Sequence, residues 1–535
     1  MKEYNVILKK DIDYDGFWND MESDTDGGKL YIPNRAVQYT NERPASLRQC
    51  WYLLTDEEVE QLKLDDRVLD VEIPPEHRDD LIITHNAIQI SDFTKTTSDS
   101  GAYVNWGLKR VISETNNYGT DTTPSSTPNE YPYTLTGKGV DVVIQDSGIQ
   151  VDHPEFQDEN GVSRVQQIDW AAASGLAFTQ NVNHYRDYDG HGTHCAGIAC
   201  GKTFGWAKNA RVYAVKLSGL EGSGDSGTGI STTYAFDCIK GWHNNKPVDP
   251  TTGVKRPTVV NMSWGYLDLY DSVSSMYYRG SSTTSNISTG AQRQTNYGLM
   301  NLSGAAYGYN YITNVRVASV DTDIEEMIDA GIIVCIAAGN RSHKIDVPGG
   351  QDYDNYAVTD QGNLYYHRGS SPYTIRGLMV GNLDSSVTAF GTDRKATSSE
   401  CGPAVVIYAP GTNIMSATST TNRWGSGSQN YYLNSSYKQT NISGTSMAAP
   451  QVAGVCALLL EMNPKATPDL IRNYLFNKGT ETMYSSGLDS WDDTRSPQTI
   501  LSKVLYFAFG NDKSIELKGQ FSKYPSLLRV REKIQ

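Results

Sequence analysis

Five short, continuous apolar runs constrain this chain most: GVDVVIQD (139–146), ARVYAVKL (210–217), PTVVNMSW (257–264), GIIVCIAAG (331–339) and AVVIYAPG (404–411). Helical stretches lie between or after them, including TGISTTYAFDCIKGW (228–242), DTDIEEMIDA (321–330) and MAAPQVAGVCALLLEM (447–462). A strand without polar alternation is buried on both faces, and strands alternating with helices build a mostly parallel sheet. The expected fold class is therefore α/β, a parallel sheet with helices on both faces. In such sheets, sites form beyond the carboxyl ends of the strands.

This pattern occupies residues 136–482 of the 535. Residues 1–80 read instead as a small α+β domain. YNVILKK (4–10), CWYLLT (50–55) and RVLDVE (67–72) are strand-like, and TDEEVEQLKLDD (55–66) is a helix with Thr55 and Glu58 placed for a capping box. Pro74 and Pro75 end the last strand. Residues 81–135, with TDTTPSSTPNEYPYT at 120–134, read as a processing region and linker. The region near 266–319 is rich in Tyr, Ser, Thr, Asn and Gly, has no sustained apolar period, and reads as an inserted loop region. A second insertion lies near 341–370, and residues 483–535 form a C-terminal extension with one apolar run, ILSKVLYFAF.

Lysine and arginine total 46, aspartate and glutamate 61, giving a formal charge of −15. This acid excess argues against nucleic acid or an anionic membrane as partner. No apolar run approaches the roughly 18 residues of a membrane span. The first residues, MKEYNVILKKDIDYDG, lack the apolar segment and cleavage site of a secretory signal. The expected location is intracellular or virion-associated rather than secreted. Seven scattered cysteines, with no CxxC pair, read as reduced core thiols.

Three polar residues stand out by position. Asp146 follows the apolar run VDVVI in QDSGI, His191 lies in DGHGTHCAG, and Ser446 lies in SGTSMAAPQVAG. An acid, an imidazole and a hydroxyl are the set that activates a serine nucleophile. The imidazole takes the hydroxyl proton; the carboxylate fixes its tautomer and stabilises its charged form. Ser446 sits at a helix start, where backbone N–H groups favour negative charge. Pro450 is placed in the first turn, where backbone donors are unpaired. Val452, Val455, Cys456, Leu459 and Leu460 then trace one apolar helix face.

The chain order Asp, His, Ser is that of subtilisin. VIQDSGI, DGHGTHCAG, VVNMSWG, AAGN and SGTSMAAP resemble the signatures of the subtilisin-like serine proteases, the subtilases. HGTHCAG followed by GKTFGWAKNARVYAVKL is most similar to the proteinase K branch. The resemblance implies a serine endopeptidase that cuts protein or peptide substrates through an acyl-enzyme, with Asp146, His191 and Ser446 as its triad. It implies that Asn340 and the Ser446 N–H donate to the oxyanion. It implies that Ser263, Trp264 and Gly265 pair with an extended substrate, with Gly222, Ser223 and Gly224 as the opposite wall. Residues 1–80 resemble the family's inhibitory propeptide, a ferredoxin-like domain that blocks the cleft until it is cut. The cut is expected between Pro75 and Ser100.

The rival from another class is a catalytically silent structural or binding protein that keeps this fold in a larger assembly. The tyrosine-rich insertion suits docking to an assembly such as a virion. His191 and His194 have no HExxH motif or cysteine cluster beside them, so no metal site is assigned. No cofactor is required for catalysis. Structural calcium is left unplaced. The calcium loop that bacterial subtilisins insert after the histidine helix is missing, and Val406 stands where the proteinase K branch carries an aspartate. Acidic clusters such as Asp158 and Glu159, or Asp352 and Asp354, are the remaining candidates. Cys195, beside His191, reads as a buried packing thiol whose place predicts inhibition by mercurials. The second insertion falls where the primary specificity pocket is built, so the sequence does not assign the accepted side chain.

Overall fold

Seven strands form the central sheet. Their spatial order is Ile407–Pro410, Leu378–Leu383, Ile333–Ala337, Thr258–Met262, Asp141–Asp146, Arg211–Lys216 and Val165–Gln166, with every pair parallel. The structure is a computed structural model that describes residues 1–22, 37, 39–43, 45–78, 80–84, 88–89, 106–114, 133, 135–306, 308–385, 393–480, 483–484 and 503–507. Successive strand side chains point to opposite faces. Val142 and Ile144 therefore join one core, with the helices His191–Cys200 and Thr445–Met462, and Val143 joins the other, with Thr232–Asn245 and Ala318–Asp329. All five expected strands and the three expected helices are present. Leu378–Leu383 is additional; Gly381 and Asn382 interrupt its apolar run in the sequence. Gly381 makes room for a ring: a Cβ there would lie 2.3 Å from Tyr408.

The sheet builds outward from Asp141–Asp146. The next two strands go to one side and the later four to the other. This reversal leaves a crevice at the carboxyl end of the first strand, where Asp146 is the last residue.

Every residue of Thr445–Leu460 is buried, so one apolar face describes this helix too narrowly. It is a central helix, apolar all round. Its 18 residues are long and apolar enough to cross a membrane by composition, contrary to expectation, but 89% of that window is buried inside the fold.

The N-terminal residues fold as strand Lys2–Leu8, helix Tyr14–Glu22, strands Tyr39–Glu42 and Gln49–Leu54, helix Asp56–Leu62 and strand Val68–Glu72. The strands pair antiparallel in the order second, third, first, fourth, the split βαβ arrangement of a ferredoxin-like domain. Val6, Leu8, Phe17, Tyr52 and Leu62 belong to its core, and Thr55 and Glu58 form the expected capping box.

This domain meets the helix pair Thr232–Asn245 and Ala318–Asp329 through charge. Buried Arg43 donates to Asp237 (3.1 Å) and Asp323 (2.9 Å). Lys240 reaches Asp323 (2.9 Å) and Glu326 (2.6 Å). Glu72 accepts the N–H groups of Ala318 (3.2 Å) and Ser319 (2.9 Å), and Glu76 accepts that of Thr233 (2.9 Å). Both carboxylates thus satisfy orphan donors at helix N-termini.

Three expectations need correction. The stretch expected as linker contains the helix Trp106–Val111, whose Trp106 is buried and donates to Thr412 O (3.0 Å). The region near 266–319 is not a loop. It holds the strands Gly265–Tyr270, Val273–Tyr278, Ser281–Thr283, Leu302–Ala306 and Tyr309–Asn314 and the helix Gly290–Tyr297. Tyr and Thr are good strand formers even without an apolar run. The two insertions also fold together: Val273–Tyr278 pairs with Tyr356–Thr359 over a shared core that includes Tyr270, Met276, Leu299 and Tyr366. The apolar C-terminal run is not separate either, since Leu505 and Phe507 enter the main core and Val504 bridges to Tyr408. Most of the remainder of the processing region and of the C-terminal extension lies outside the described residues.

Candidate active site

Asp146 closes its strand and His191 opens the helix His191–Cys200 beside it. His191 Nδ1 lies 2.9 Å from Asp146 Oδ1 and 3.0 Å from Oδ2, and both side chains are fully buried. Facing a carboxylate, Nδ1 carries the proton and Nε2 is left as the basic atom. The start of this helix is held by Asp187, which the sequence reading did not single out. Its carboxylate accepts from Ser147 Oγ (2.9 Å), Gly190 N (2.7 Å) and Thr193 N (2.8 Å). Burial, with Asp189 adding, raises its pKa to about 6. The signal was present in DYDGHGTH, an acid placed just before a helix start. Gly190 adopts φ +92°, and a Cβ there would lie 2.5 Å from Thr418 Oγ1.

Ser446 is the second residue of the helix Thr445–Met462. Its Oγ donates to the Ser263 carbonyl (3.1 Å). Among the described residues no hydrogen bond joins it to His191. Cys195 links the two residues: its Sγ lies 3.8 Å from His191 Nδ1 and donates to the Ser446 carbonyl at 3.4 Å. That carbonyl receives no helical bond, because Pro450, four residues on, has no N–H. Pro450 thus stands in the second turn, not in the first as expected. Ser263 Oγ donates to the same carbonyl at 2.9 Å. A proline, a serine and a thiol together fix the backbone at Ser446. Burial raises the Cys195 thiol well above its ordinary value, as befits a packing group.

Asn340 Oδ1 accepts from Thr445 N (2.8 Å) and Thr445 Oγ1 (3.2 Å). Asn340 lines the cleft together with Ser263, Trp264, Gly265 and Ser446. His194 is turned to structure: its Nε2 lies 3.0 Å from Thr440 O, and burial lowers its pKa to about 3. Among the described residues, the cluster of metal-type ligand atoms is Asp146, His191 and Cys195, which is this same site.

Leu81–Thr84 runs antiparallel to the strand that Gly265 begins, with Thr84 opposite Gly265. Ile88–Gln89 pairs with Ile442–Ser443, with Ile88 opposite Ser443. Gly222, Ser223 and Gly224 take part in no strand pairing among the described residues. Gly222 instead abuts Tyr188–Asp189, where a Cβ would lie 2.7 Å from Asp189 N.

The calcium candidates do not fit an ion. Asp352 is paired with Arg279 (2.7 Å) and Lys344 (2.9 Å), and Asp354 with Arg368 (2.7 Å). Asp158 accepts the N–H groups of Asn160 and Val162 in its own turn. Val406 is buried and apolar.

The chain is 28% identical to a cuticle-degrading serine protease of Arthrobotrys oligospora over 354 residues, 66% of this chain and 57% of that protein. It is 28% identical to serine protease AprX of Bacillus subtilis, covering 67% of this chain and 63% of that one. It is 26% identical to proteinase R of Parengyodontium album, covering 67% and 60%. The matched part is thus less than two thirds of each relative's length. A solved structure of fervidolysin from Fervidobacterium pennivorans, a keratinolytic enzyme related to subtilisin, superposes with a TM-score of 0.51 at 17% identity, over 90% of this chain and 57% of that chain. This likeness shows the fold. The model of the subtilase family matches residues 137–501, well over half of the chain, and with that span the chain belongs to the subtilase family.

Proposed function

We propose that this chain is a serine endopeptidase made as an autoinhibited precursor, and that the tail of its N-terminal domain is the first peptide it cuts. One observation carries this: the tail pairs with Gly265, two residues after the Ser263 carbonyl that holds Ser446 Oγ, and again with Ser443, three residues before Ser446. A peptide held as an added strand gains affinity from main-chain hydrogen bonds. In the reaction, Ser446 Oγ leaves the Ser263 carbonyl and passes its proton to His191 Nε2 as it attacks. Asp146 holds the imidazolium that forms. Asn340 Nδ2 and the Ser446 N–H receive the oxyanion; losing one such donor costs about 10²–10³ in turnover. The leaving amine takes the proton from His191, and water then hydrolyses the ester by the same route.

The test compares intact mass of the full-length chain and of Ser446→Ala after incubation at neutral pH. Wild type is expected to release an N-terminal fragment ending between Thr84 and Ile88, while the variant stays whole, because losing the nucleophile costs about 10⁶ in rate. If wild type also stays whole and a serine-reactive fluorophosphonate fails to label it, the silent structural protein is the better account.

A further inference from the structure

We infer that Glu400 is a positioning residue for the oxyanion donor Asn340, and that the inserted strand Tyr309–Asn314 braces it through Asn314. This rests on the protease reading above. Asn340 lies three residues past the end of the strand Ile333–Ala337, in a segment that belongs to no helix or strand. A donor aimed at a developing charge helps only if it is fixed in advance, because moving it during the reaction would use up the gain. A loop must therefore obtain that rigidity from its neighbours.

The segment is held from two sides. On one side is the start of the helix Thr445–Met462: Gly339 N donates to Thr445 Oγ1 (3.1 Å), and Asn340 Oδ1 accepts from Thr445 N (2.8 Å). On the other side is Glu400. Its backbone N–H donates to Gly339 O (3.0 Å), and its Oε1 accepts the Arg341 N–H (3.3 Å). The residues before and after Asn340 are thus tied to the same residue. The approach is close. Gly339 adopts φ +114°, and a Cβ there would lie 2.8 Å from Glu400 Cγ. Only glycine allows both that backbone and that contact.

Glu400 is itself fixed. It is fully buried, and its Oε1 also accepts from Asn314 Nδ2 at 2.6 Å. Asn314 ends the inserted strand Tyr309–Asn314, where it pairs with Leu267. That strand runs beside the one that Gly265 begins, so its place is set by the wall of the cleft. The insertion therefore reaches the oxyanion segment through one carboxyl oxygen.

Burial raises the Glu400 pKa to about 8, so the group is largely protonated at neutral pH. What it supplies is then one acceptor oxygen rather than a charge. A glutamine carries the same acceptor at the same reach, and an alanine carries none. A side chain that only filled this space would not need to be polar, since burying a polar group costs more than burying an apolar one. The two bonds to Oε1 give the polar atom its use.

The test is a double-mutant cycle in the full-length chain, read as the rate at which the intact mass is lost to processing. Asn340→Ala is expected to slow that rate about 10²–10³-fold. Glu400→Ala should slow it about 10- to 100-fold, the scale of an ångström-sized misplacement. Glu400→Gln should stay close to the wild-type rate. Because Glu400 acts through Asn340, adding Glu400→Ala to Asn340→Ala should cost no more than about twofold. With processed enzyme and fluorescein-labelled casein, the loss in Glu400→Ala should fall on kcat and leave KM little changed. Asn314→Ala removes one brace and keeps the carboxyl. It should slow processing less than Glu400→Ala and likewise add nothing to Asn340→Ala, and it carries the cycle if thermal unfolding shows that Glu400→Ala does not fold. Equal losses in both backgrounds, a loss confined to KM, or Glu400→Gln as slow as Glu400→Ala overturns the assignment and leaves the protease standing. If wild type neither processes nor cuts casein, and a fluorophosphonate does not label it, the protease reading falls and takes this one with it. If it cuts casein but leaves its own tail whole, the same cycle is read on casein.

Discussion

The helix Thr445–Met462 carries no charge over its buried stretch and packs among Cys335, Val380 and Ile442, whereas the N-terminal domain meets its helix pair through Arg43, Lys240 and the carboxylates of Asp237, Asp323, Glu326 and Glu72. Both contacts are buried, but they differ in what separation costs. Parting an apolar core exposes surface that water does not compensate. Parting a buried ion cluster returns each charge to water, which offsets much of the lost attraction. The first suits a unit that stays folded, and the second a partner that leaves once its tether is cut.

The contrast can be broken most sharply at Arg43. In the Ser446→Ala background, Arg43→Ala removes one of the two cations that face Asp237 and Asp323 and leaves Lys240 as their remaining partner, at a cost of up to about 3–5 kcal/mol. Thermal unfolding should then split, with an early transition for the N-terminal domain and a peptidase transition at its former temperature. A single transition moving as one would show that the junction is part of the core. Leu459→Ala is the converse variant. It should cost about 2–5 kcal/mol, lower the peptidase transition and carry the docked domain down with it; an effect confined to the domain would contradict the comparison.

The smallest effect is on pH. Burial raises Glu72 from 4.5 to about 7 at the junction. Its contribution to docking is complete below about pH 4.5 and fades as pH rises through 7. Asp268, raised to about 6 by burial and by Asp80, pulls the same way. The protection of the N-terminal domain in Ser446→Ala, measured as its hydrogen-exchange rate relative to the intrinsic rate at each pH, should rise on going from pH 8 to pH 5, by up to about tenfold per unit. Glu72→Gln should flatten most of that slope, and an unchanged slope would remove Glu72 from the account.

Much of the site was legible because its residues sit at the ends of buried strands, which a sequence displays as unbroken apolar runs. Asp146 closes one such run and Asn340 follows another. The ferredoxin-like domain was half legible. Its helix Tyr14–Glu22 buries only Phe17 and Met21 and so shows little pattern. Leu378–Leu383 was hidden by Gly381, which is there for the Tyr408 ring rather than for the strand. Asp187 was legible as an acid just before a helix start, whereas the clasp on the Ser446 carbonyl was hidden because it depends on partners distant in the chain: Ser263 reaches across 183 residues and Cys195 across 251. Gly222–Gly224 were legible only as a likeness, and the strand pairing does not include them.

The shared sheet of the two insertions has a historical consequence. Val273–Tyr278 and Tyr356–Thr359 lie far apart in the chain, yet each covers the other's edge. Either segment alone would present an unpaired strand to its surroundings, a template for aggregation. Gain or loss of one should therefore be accompanied by gain or loss of the other across the lineage, so that ancestors carrying only half of the pair would have left few descendants.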